Sequence, residues 1–231
     1  MNDKEIADRA VVLVSGGLDS ATLMQYVKQR QGVARVDALT FLYGQKHDRE
    51  IETAEFQAEK GGCERHEIID LSCLSAVFKG GSSLIDAGMD VPDLAELSEE
   101  DRRQPSTYVP NRNMIFLSIA AAYAESRGID TVFYGAQLSD EYGYWDCTSD
   151  FINAMNRTLL LNRRTPVKVK APFAGMRKFE VVRLGCELGV DFSETWTCYR
   201  GQEKPCGQCP SCVERRVAFE KAGIDDPGAS V

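Results

Sequence analysis

The chain has 231 residues, of which 43% are hydrophobic and 27% charged, and its formal net charge is −8 at pH 7. This length fits one domain with its own core, either alone or with a small appendage. The acidic balance argues against broad binding to nucleic acids or anionic membranes, because both require a basic surface. Since no membrane-length apolar run and no signal-peptide pattern occur, the sequence predicts a cytoplasmic protein that acts on small substrates.

Strand-like and helix-like segments alternate along the chain. In order, the apolar pattern predicts strand 10–14, helix 18–28, strand 36–41, helix 48–60, strand 67–71, helix 113–126, strand 131–134, helix 150–161, strand 167–171, helix 178–188 and a last helix that ends near 222. Such alternation is typical of an α/β fold with an open parallel sheet and helices on both faces. The first strand is apolar throughout, so we expect it at the centre of the sheet. Residues 1–190 are the predicted main domain, and 191–231 a small C-terminal lobe packed on it.

Residues 72–110 interrupt this alternation. They contain Gly80-Gly81-Ser82-Ser83, an acidic run at 96–101 and no clean periodicity. Long loops in compact domains are usually functional lids or partly disordered segments. We therefore expect this segment to be a long loop that orders over the substrate.

The stretch VVLVSGGLDS, from Val11 to Ser20, ends an apolar strand at two glycines and continues as a helix. The glycines let backbone N–H groups approach an anion, and the helix adds the positive end of its dipole. Phosphate is therefore the expected ligand, although a plain strand-to-helix turn is the alternative. The loop is neither a Walker A motif nor a spaced GxGxxG motif. The predicted nucleotide-binding residues are Val14, Ser15, Gly16, Gly17, Leu18, Asp19 and Ser20.

Four cysteines near the C-terminus follow the spacing C-x7-C-x2-C-x2-C. Four soft ligands this close suit one tetrahedral metal ion, and structural zinc is the expectation, with an iron–sulfur cluster as the alternative. The predicted ligands are Cys198, Cys206, Cys209 and Cys212. The remaining cysteines lack such spacing and are predicted to be buried small side chains; they are Cys63, Cys73, Cys147 and Cys186.

Two loops at the carboxyl ends of predicted strands carry residues suited to a small ligand, because ligands of open α/β sheets bind at that edge. His47 follows the second strand and is a candidate for substrate contact. Asp140, Tyr144 and Asp146 follow the fourth strand and offer carboxylates and an aromatic face to a flat base. The alternative for this second loop is a polar surface turn.

The motifs resemble those of a known family. SGGLDS at 15–20 resembles the pyrophosphate loop of the N-type ATP pyrophosphatases. With YGQKH at 43–47, YVPNRN at 108–113, GYWDC at 143–147 and the cysteine spacing, the chain resembles the 7-cyano-7-deazaguanine synthase family over residues 10–226. The resemblance implies an adenine-nucleotide alpha-hydrolase-like fold, a zinc-binding helical C-terminal lobe, and an ATP-dependent ligase of queuosine precursor synthesis. It further implies that ATP adenylates 7-carboxy-7-deazaguanine, that ammonia converts the adenylate to an amide, and that a second activation gives the nitrile.

The resemblance also implies residue roles. Backbone N–H groups of residues 15–19 and the hydroxyls of Ser15 and Ser20 would hold pyrophosphate, with Mg²⁺ supplying charge that the loop lacks. The expected catalytic residues are Asp19, Ser20, Arg112 and Lys178. The expected substrate residues are His47, Arg112, Asp140, Tyr144 and Asp146. A homodimer and free ammonia as nitrogen donor are implied as well.

Two positions depart from the usual pattern of the family. Trp145-Asp146-Cys147-Thr148 stands where Pro-Asp-Cys-Arg is common, and Asn111 replaces a frequent Gly before Arg112. An added aromatic and a missing guanidinium beside the base pocket leave open a relative that passes the activated acid to another amine, such as one on a protein. A tRNA-sulfurating ATP pyrophosphatase and a zinc-stabilised nucleotide sensor without activity are further alternatives.

Overall fold

The computed structural model describes residues 7–46, 49–103, 105–137 and 144–228. Its strands are β1 (Arg9–Leu13), β2 (Arg35–Leu42), β3 (Arg65–Asp70), β4 (Thr131–Phe133) and β5 (Lys168–Lys170). Its helices are α1 (Leu18–Gln29), α2 (Arg49–Lys60), α3 (Ser75–Phe78), α4 (Glu99–Arg103), α5 (Arg112–Ser126), α6 (Ser149–Leu159), α7 (Lys178–Glu187) and α8 (Pro210–Ala222). Short 3₁₀ turns lie at Ser72–Leu74, Leu94–Glu96, Trp145–Cys147 and Phe192–Glu194.

The five strands form one parallel sheet in the order β3-β2-β1-β4-β5. The predicted central position of β1 is confirmed: Val11 pairs with Asp37 of β2 on one side and Val132 of β4 on the other. Chain order reverses direction across the sheet at β1, so the loop after β1 lies where open α/β sheets bind ligands.

Both faces of the sheet are covered, as the fold prediction requires. Alternate residues of β1 point to opposite faces because side chains alternate along a strand. Val11 and Leu13 join one apolar cluster with buried residues of α5 and α6. Val12 joins a second cluster with residues of α1, α2 and α7. The predicted open parallel sheet with helices on both faces is therefore confirmed.

The C-terminal segment packs on the second face of the sheet. Ala218 and Phe219 of α8 belong to the same apolar cluster as Val12. Arg215, which is 7% exposed, donates to the Phe192 carbonyl at 2.8 Å and pairs with an Asp226 carboxylate oxygen at 2.8 Å. A buried guanidinium with these acceptors ties the chain after α8 to the segment before the cysteines.

Residues 72–110 are largely irregular where they are described, as predicted, and this segment folds against the domain. It contains α3 and α4, and its side chains Phe78, Leu84, Val91 and Val109 are buried in the first apolar cluster. Helices of four and five residues are too short to show a 3.6-residue period in the sequence. A role of this segment as a lid stays a prediction.

The cysteines outside the C-terminal cluster do not share one environment. Cys73 and Cys186 are exposed, so their predicted burial is wrong, whereas Cys63 and Cys147 are half-buried. Cys73 lies in the 3₁₀ turn Ser72–Leu74, and Cys186 lies in α7. Each of these small side chains is exposed because it lies on the outward face of its helical segment. Among the helices of the described ranges, none combines the length and the apolar character needed to cross a bilayer.

Candidate active site

A cavity of about 940 Å³ opens at the carboxyl edge of the sheet, where the loops after β1, β2 and β4 meet. Its volume lies in the range of small-molecule sites. Most residues predicted from the sequence to bind nucleotide or substrate line it: Val14, Ser15, Gly17, Leu18, Asp19, Ser20, Arg112, Lys178, Tyr144 and Asp146. His47 and Asp140 lie outside the described residues.

Gly16 fixes the shape of the loop after β1. Its φ is +80°, and a Cβ atom there would lie 2.2 Å from the Glu50 carbonyl oxygen. Its own carbonyl accepts hydrogen bonds from Gln57 Nε2 at 2.7 Å and from the Trp196 backbone N–H at 3.0 Å. Hydrogen bonds from α2 and from the segment before the cysteine cluster therefore fix the conformation of this loop.

The start of α1 has no side-chain cap among the described residues, since Gly17 occupies the cap position. Uncapped N–H groups and the helix dipole favour an anion at this end. The Ser20 hydroxyl is buried and donates within the loop, to the Gly17 carbonyl at 3.0 Å, while the exposed Ser15 hydroxyl donates to Ser20 Oγ at 3.3 Å. Ser15 thus faces the ligand space, and Ser20 also organises the loop.

Asp19, Lys178 and Glu214 form a buried charge cluster beside this loop. Lys178 Nζ lies 3.8 Å from Asp19 Oδ2 and 3.2 Å from Glu214 Oε2. Burial raises the pKa of Asp19 above its ordinary value, and Lys178 opposes that rise. Burial alone would lower the pKa of Lys178, but Asp19 and Glu214 outweigh it and hold that pKa above its ordinary value. Lys178 is therefore a cation at neutral pH, held by two carboxylates.

The second oxygen of Asp19, Oδ1, is buried and has no hydrogen-bond partner in the described part of the chain. An orphaned carboxylate oxygen is costly unless a ligand satisfies it. Carboxylate oxygens are the ligands that Mg²⁺ takes from proteins, together with phosphate oxygens of a bound nucleotide. Asp19 therefore fits a magnesium ion bound with ATP.

Arg112 begins α5 and lines the cavity. Its Nη1 donates to the Tyr43 hydroxyl at 3.1 Å, and its guanidinium carbon lies 5.5 Å from the Tyr43 ring centre and 5.9 Å from that of Phe116. Glu50 also lines this part of the cavity, and burial raises its pKa to about 7 although Arg112 opposes the rise. A cation held on aromatic faces keeps its remaining donors for an anionic substrate.

Tyr144 and Asp146, which the sequence predicts as base-binding residues, also line the cavity. The Tyr144 hydroxyl lies 3.0 Å from Thr107 Oγ1, and its ring lies 6.5 Å from that of Tyr108 at an interplanar angle of 29°. Asp146 is 2% exposed, and burial raises the pKa of its carboxyl, which Arg112 and hydrogen bonds from Asn113 oppose. Aromatic faces and a buried carboxylate together suit a flat ring with N–H donors.

The positions that depart from the family pattern have structural roles. Asn111 has φ +55°, the left-handed region that Gly enters freely and Asn tolerates. The Thr148 hydroxyl accepts from the Phe151 backbone N–H at 3.2 Å and so caps α6. The Trp145 indole donates to the Tyr108 hydroxyl at 2.9 Å. Each of the three residues is therefore explained by a backbone conformation or a contact within the chain.

The cysteine cluster is a closed site. The four sulfur atoms of Cys198, Cys206, Cys209 and Cys212 all lie within 4.8 Å of one another. Tetrahedral zinc with bonds of about 2.3 Å places its sulfurs ~3.8 Å apart, so the four thiols need only a small contraction. Backbone N–H groups of Cys206 and Cys209 donate to cluster sulfurs at 3.4 and 3.3 Å. Such bonds stabilise thiolates, the form that binds metal.

The cluster also contacts residues 72–110. Arg200, between the first two cysteines, donates to the Val91 carbonyl at 2.7 Å and pairs with Asp93 at 2.6 Å. The Leu94 backbone N–H donates to the Gln208 carbonyl at 3.1 Å. The metal-binding segment thus contacts residues 72–110 and, through the Trp196 backbone, the loop after β1.

Sequence reasoning missed several cavity residues. Glu50 and Glu214 lie on helices, where isolated glutamates usually mark a solvated face, so no sequence signal distinguishes them from other acidic residues. Thr107 and Tyr108 fall in a segment without periodicity. For Tyr108, the available sequence signal of a role in the cavity was its position in the YVPNRN motif at 108–113.

The comparisons with known proteins agree on one family. The model of the family described as "Queuosine biosynthesis protein QueC" matches residues 9–223. A 7-cyano-7-deazaguanine synthase from Archaeoglobus fulgidus is 46% identical over 220 residues, which cover 95% of this chain and 89% of the relative. The synthases from Caldicellulosiruptor saccharolyticus and Psychromonas ingrahamii are 43% and 42% identical, with 95% and 96% of this chain and 94% and 97% of the relatives covered.

Solved structures are more distant. An NMN synthetase from Francisella tularensis is 14% identical, with a TM-score of 0.49 and coverage of 95% of this chain and 79% of that chain. Nothing about activity follows from a likeness at this level.

Proposed function

The chain belongs to the QueC family of queuosine biosynthesis proteins, and on that premise we propose that it is an ATP-dependent carbon–nitrogen ligase that converts 7-carboxy-7-deazaguanine and ammonia to 7-cyano-7-deazaguanine. One observation supports this most directly. One cavity is lined both by the loop after β1, which suits phosphates, and by Tyr144 and Asp146, which suit a flat base. The acid and ATP would therefore meet in this cavity.

The chemistry requires positioning and neutralisation more than a protein nucleophile. The substrate carboxylate attacks the α-phosphorus of ATP, and pyrophosphate leaves with the bonding electrons. Ammonia then attacks the acyl carbon of the adenylate, and AMP leaves to give the amide. The amide oxygen attacks a second ATP in the same way, and loss of AMP and of the remaining nitrogen-bound protons gives the nitrile.

We assign roles from the contacts of each side chain. The loop amides and Ser15 would hold the pyrophosphate, with Ser20 keeping the loop in shape. Lys178 and Arg112, which both line the cavity, would neutralise the α-phosphate and the carboxylate. Asp19 would hold Mg²⁺, which supplies positive charge to the departing pyrophosphate when bound.

Tyr144 and Asp146 would recognise the deazaguanine base of the substrate. Tyr144 offers its aromatic face, and Asp146 accepts from ring N–H groups. His47 and Asp140 are proposed as further substrate contacts from the sequence resemblance alone. The metal of the cysteine cluster would be zinc with a structural role, and the chain would work as a cytoplasmic homodimer with a nucleotide-binding domain at 1–190 and a zinc lobe at 191–231.

Mass spectrometry of the products tests the proposal. Purified protein incubated with 7-carboxy-7-deazaguanine, ATP, Mg²⁺ and ammonium should form the nitrile, with AMP and pyrophosphate released together. Abundant AMP release with little amide or nitrile would refute ammonia as the acceptor. No AMP release with this acid would refute the substrate.

A further inference from the structure

Four carboxylates of the described residues line the cavity, and three of them have identified partners. Asp19 and Glu214 flank Lys178. Asp146 accepts hydrogen bonds from Asn113. The Glu50 carboxylate makes no hydrogen bond and no ion pair with any residue in the described ranges, although it lines the cavity and the residue is half-buried. A carboxylate in such a place is either poorly solvated or satisfied by a ligand.

The position of Glu50 is defined by its backbone. It lies in the first turn of α2, and its carbonyl oxygen packs against Gly16 so closely that a Cβ atom there would be 2.2 Å away. The charged and titratable groups that act on it from neighbouring elements are Arg112 of α5 and Tyr43 after β2. Glu50 is therefore beside the phosphate loop and on the Arg112 side, where the proposed acyl adenylate would form.

We infer that Glu50 is the residue that binds ammonium and accepts its proton for the attack on the acyl adenylate, an inference that rests on the proposed function. Ammonium transfers one proton to a Glu50 carboxylate oxygen. The freed nitrogen lone pair forms the bond to the acyl carbon, and the bond from that carbon to the AMP oxygen breaks, with its electrons leaving on AMP. The second proton lost from nitrogen leaves with AMP.

The physical setting of Glu50 matches this task. Ammonium is a cation that needs acceptors, and Glu50 is the lining carboxylate that makes no hydrogen bond or ion pair with a described residue, although the charge of Arg112 acts on it. Burial raises the pKa of Glu50 to about 7, and a base works best when its pKa lies near the working pH. The negative charge of Glu50 also repels the substrate carboxylate, which therefore binds nearer to the cations. Adenylation then removes the negative charge of that substrate carboxylate.

A Glu50→Gln variant separates this role from others, with Glu52→Gln as the matched control because Glu52 is exposed on the same helix. Exchange of labelled pyrophosphate into ATP measures adenylation, and mass spectrometry measures amide and nitrile. Glu50→Gln should retain pyrophosphate exchange and lose about 10²–10⁴-fold in amide formation from ammonium, the usual contribution of a positioned base. Raising the pH should restore part of that loss, because free ammonia then increases.

Hydroxylamine gives a readout that a purely structural role would not produce. It is largely unprotonated at neutral pH, so Glu50→Gln should form the hydroxamate at nearly the wild-type rate while failing with ammonium. Equal loss with both nucleophiles, unchanged amide formation, or a matching loss of pyrophosphate exchange that points to a Mg²⁺ or folding role would each overturn the inference. Wild-type protein that adenylates the acid but never uses ammonium would instead refute the proposed function, and this inference with it.

Discussion

Replacement of Lys178 by methionine should destabilise the free protein measurably. Lys178 separates the carboxylates of Asp19 and Glu214, and the side chains of the three residues are 15%, 26% and 14% exposed. Removing one partner of a fully buried pair costs about 3–5 kcal/mol, and the residual exposure here lowers the expectation to about 2–3 kcal/mol. For a domain of this length the melting temperature should then fall by about 4–12 °C.

The size of this loss should depend on pH. Burial raises the pKa of Asp19, and Lys178 is the main group that opposes the rise. Without Lys178 the folded pKa of Asp19 moves further above its unfolded value. Such a carboxyl stabilises the fold at low pH and loses that contribution as the pH rises through the folded pKa. The deficit of the variant should therefore be larger at about pH 8 than at about pH 5.

Thermal melting without nucleotide, at both pH values, measures the effect. A double variant, Lys178→Met with Glu214→Gln, should recover part of the stability because one of the two facing charges is gone. Lys60→Met, at an exposed position of α2, controls for the loss of a lysine and should melt like the wild type. A Lys178→Met variant with wild-type stability, or with the same deficit at both pH values, would refute the electrostatic argument.

Three further predictions concern the loop, the cysteines and the base end. Asp19→Ala and Ser20→Ala should abolish pyrophosphate exchange with little change in melting temperature, and wild-type exchange in either variant would remove these side chains from the mechanism. Cys209→Ser should lower both the metal content and the melting temperature, whereas Cys73→Ser, which alters an exposed thiol, should change neither; elemental analysis that finds iron would exclude zinc. Asp146→Ala should raise the KM for the acid by about ten- to hundredfold and leave that for ATP nearly unchanged, because ring N–H donors lose a buried acceptor; equal changes in both would contradict a role in base recognition.

The sheet was predictable because its signals are local and repeated. β1 reads as a buried parallel strand from five consecutive residues, and the two glycines after it mark the turn into α1. In a parallel sheet all carboxyl ends lie at one edge, so loops that are distant in sequence converge there. That rule predicted from the sequence alone that Tyr144 and the loop after β1 share one edge of the sheet, whereas Arg112 was predicted from the family resemblance; all three line the cavity.

The parts that escaped prediction depend on which way a single side chain points. Glu50 and Glu214 occur on helices rich in charge, and only the packing of α2 and α8 turns these two into the cavity. Cys73 and Cys186 show the opposite error, because a residue type that is usually buried lies on an outward face. Local sequence carries no information about such orientation when the helix is short or polar on several sides.

Tyr108 connects the two departures from the family pattern. Its hydroxyl accepts from the Asn111 backbone N–H at 3.1 Å and from the Trp145 indole at 2.9 Å. A phenol oxygen has two lone pairs and one hydrogen, so these two bonds leave it only as a donor. Tyr108 lines the cavity and donates to no residue in the described ranges. Trp145 thus leaves the Tyr108 hydroxyl available as a donor in the cavity that Tyr144 and Asp146 also line, for which we propose the stacking and accepting roles.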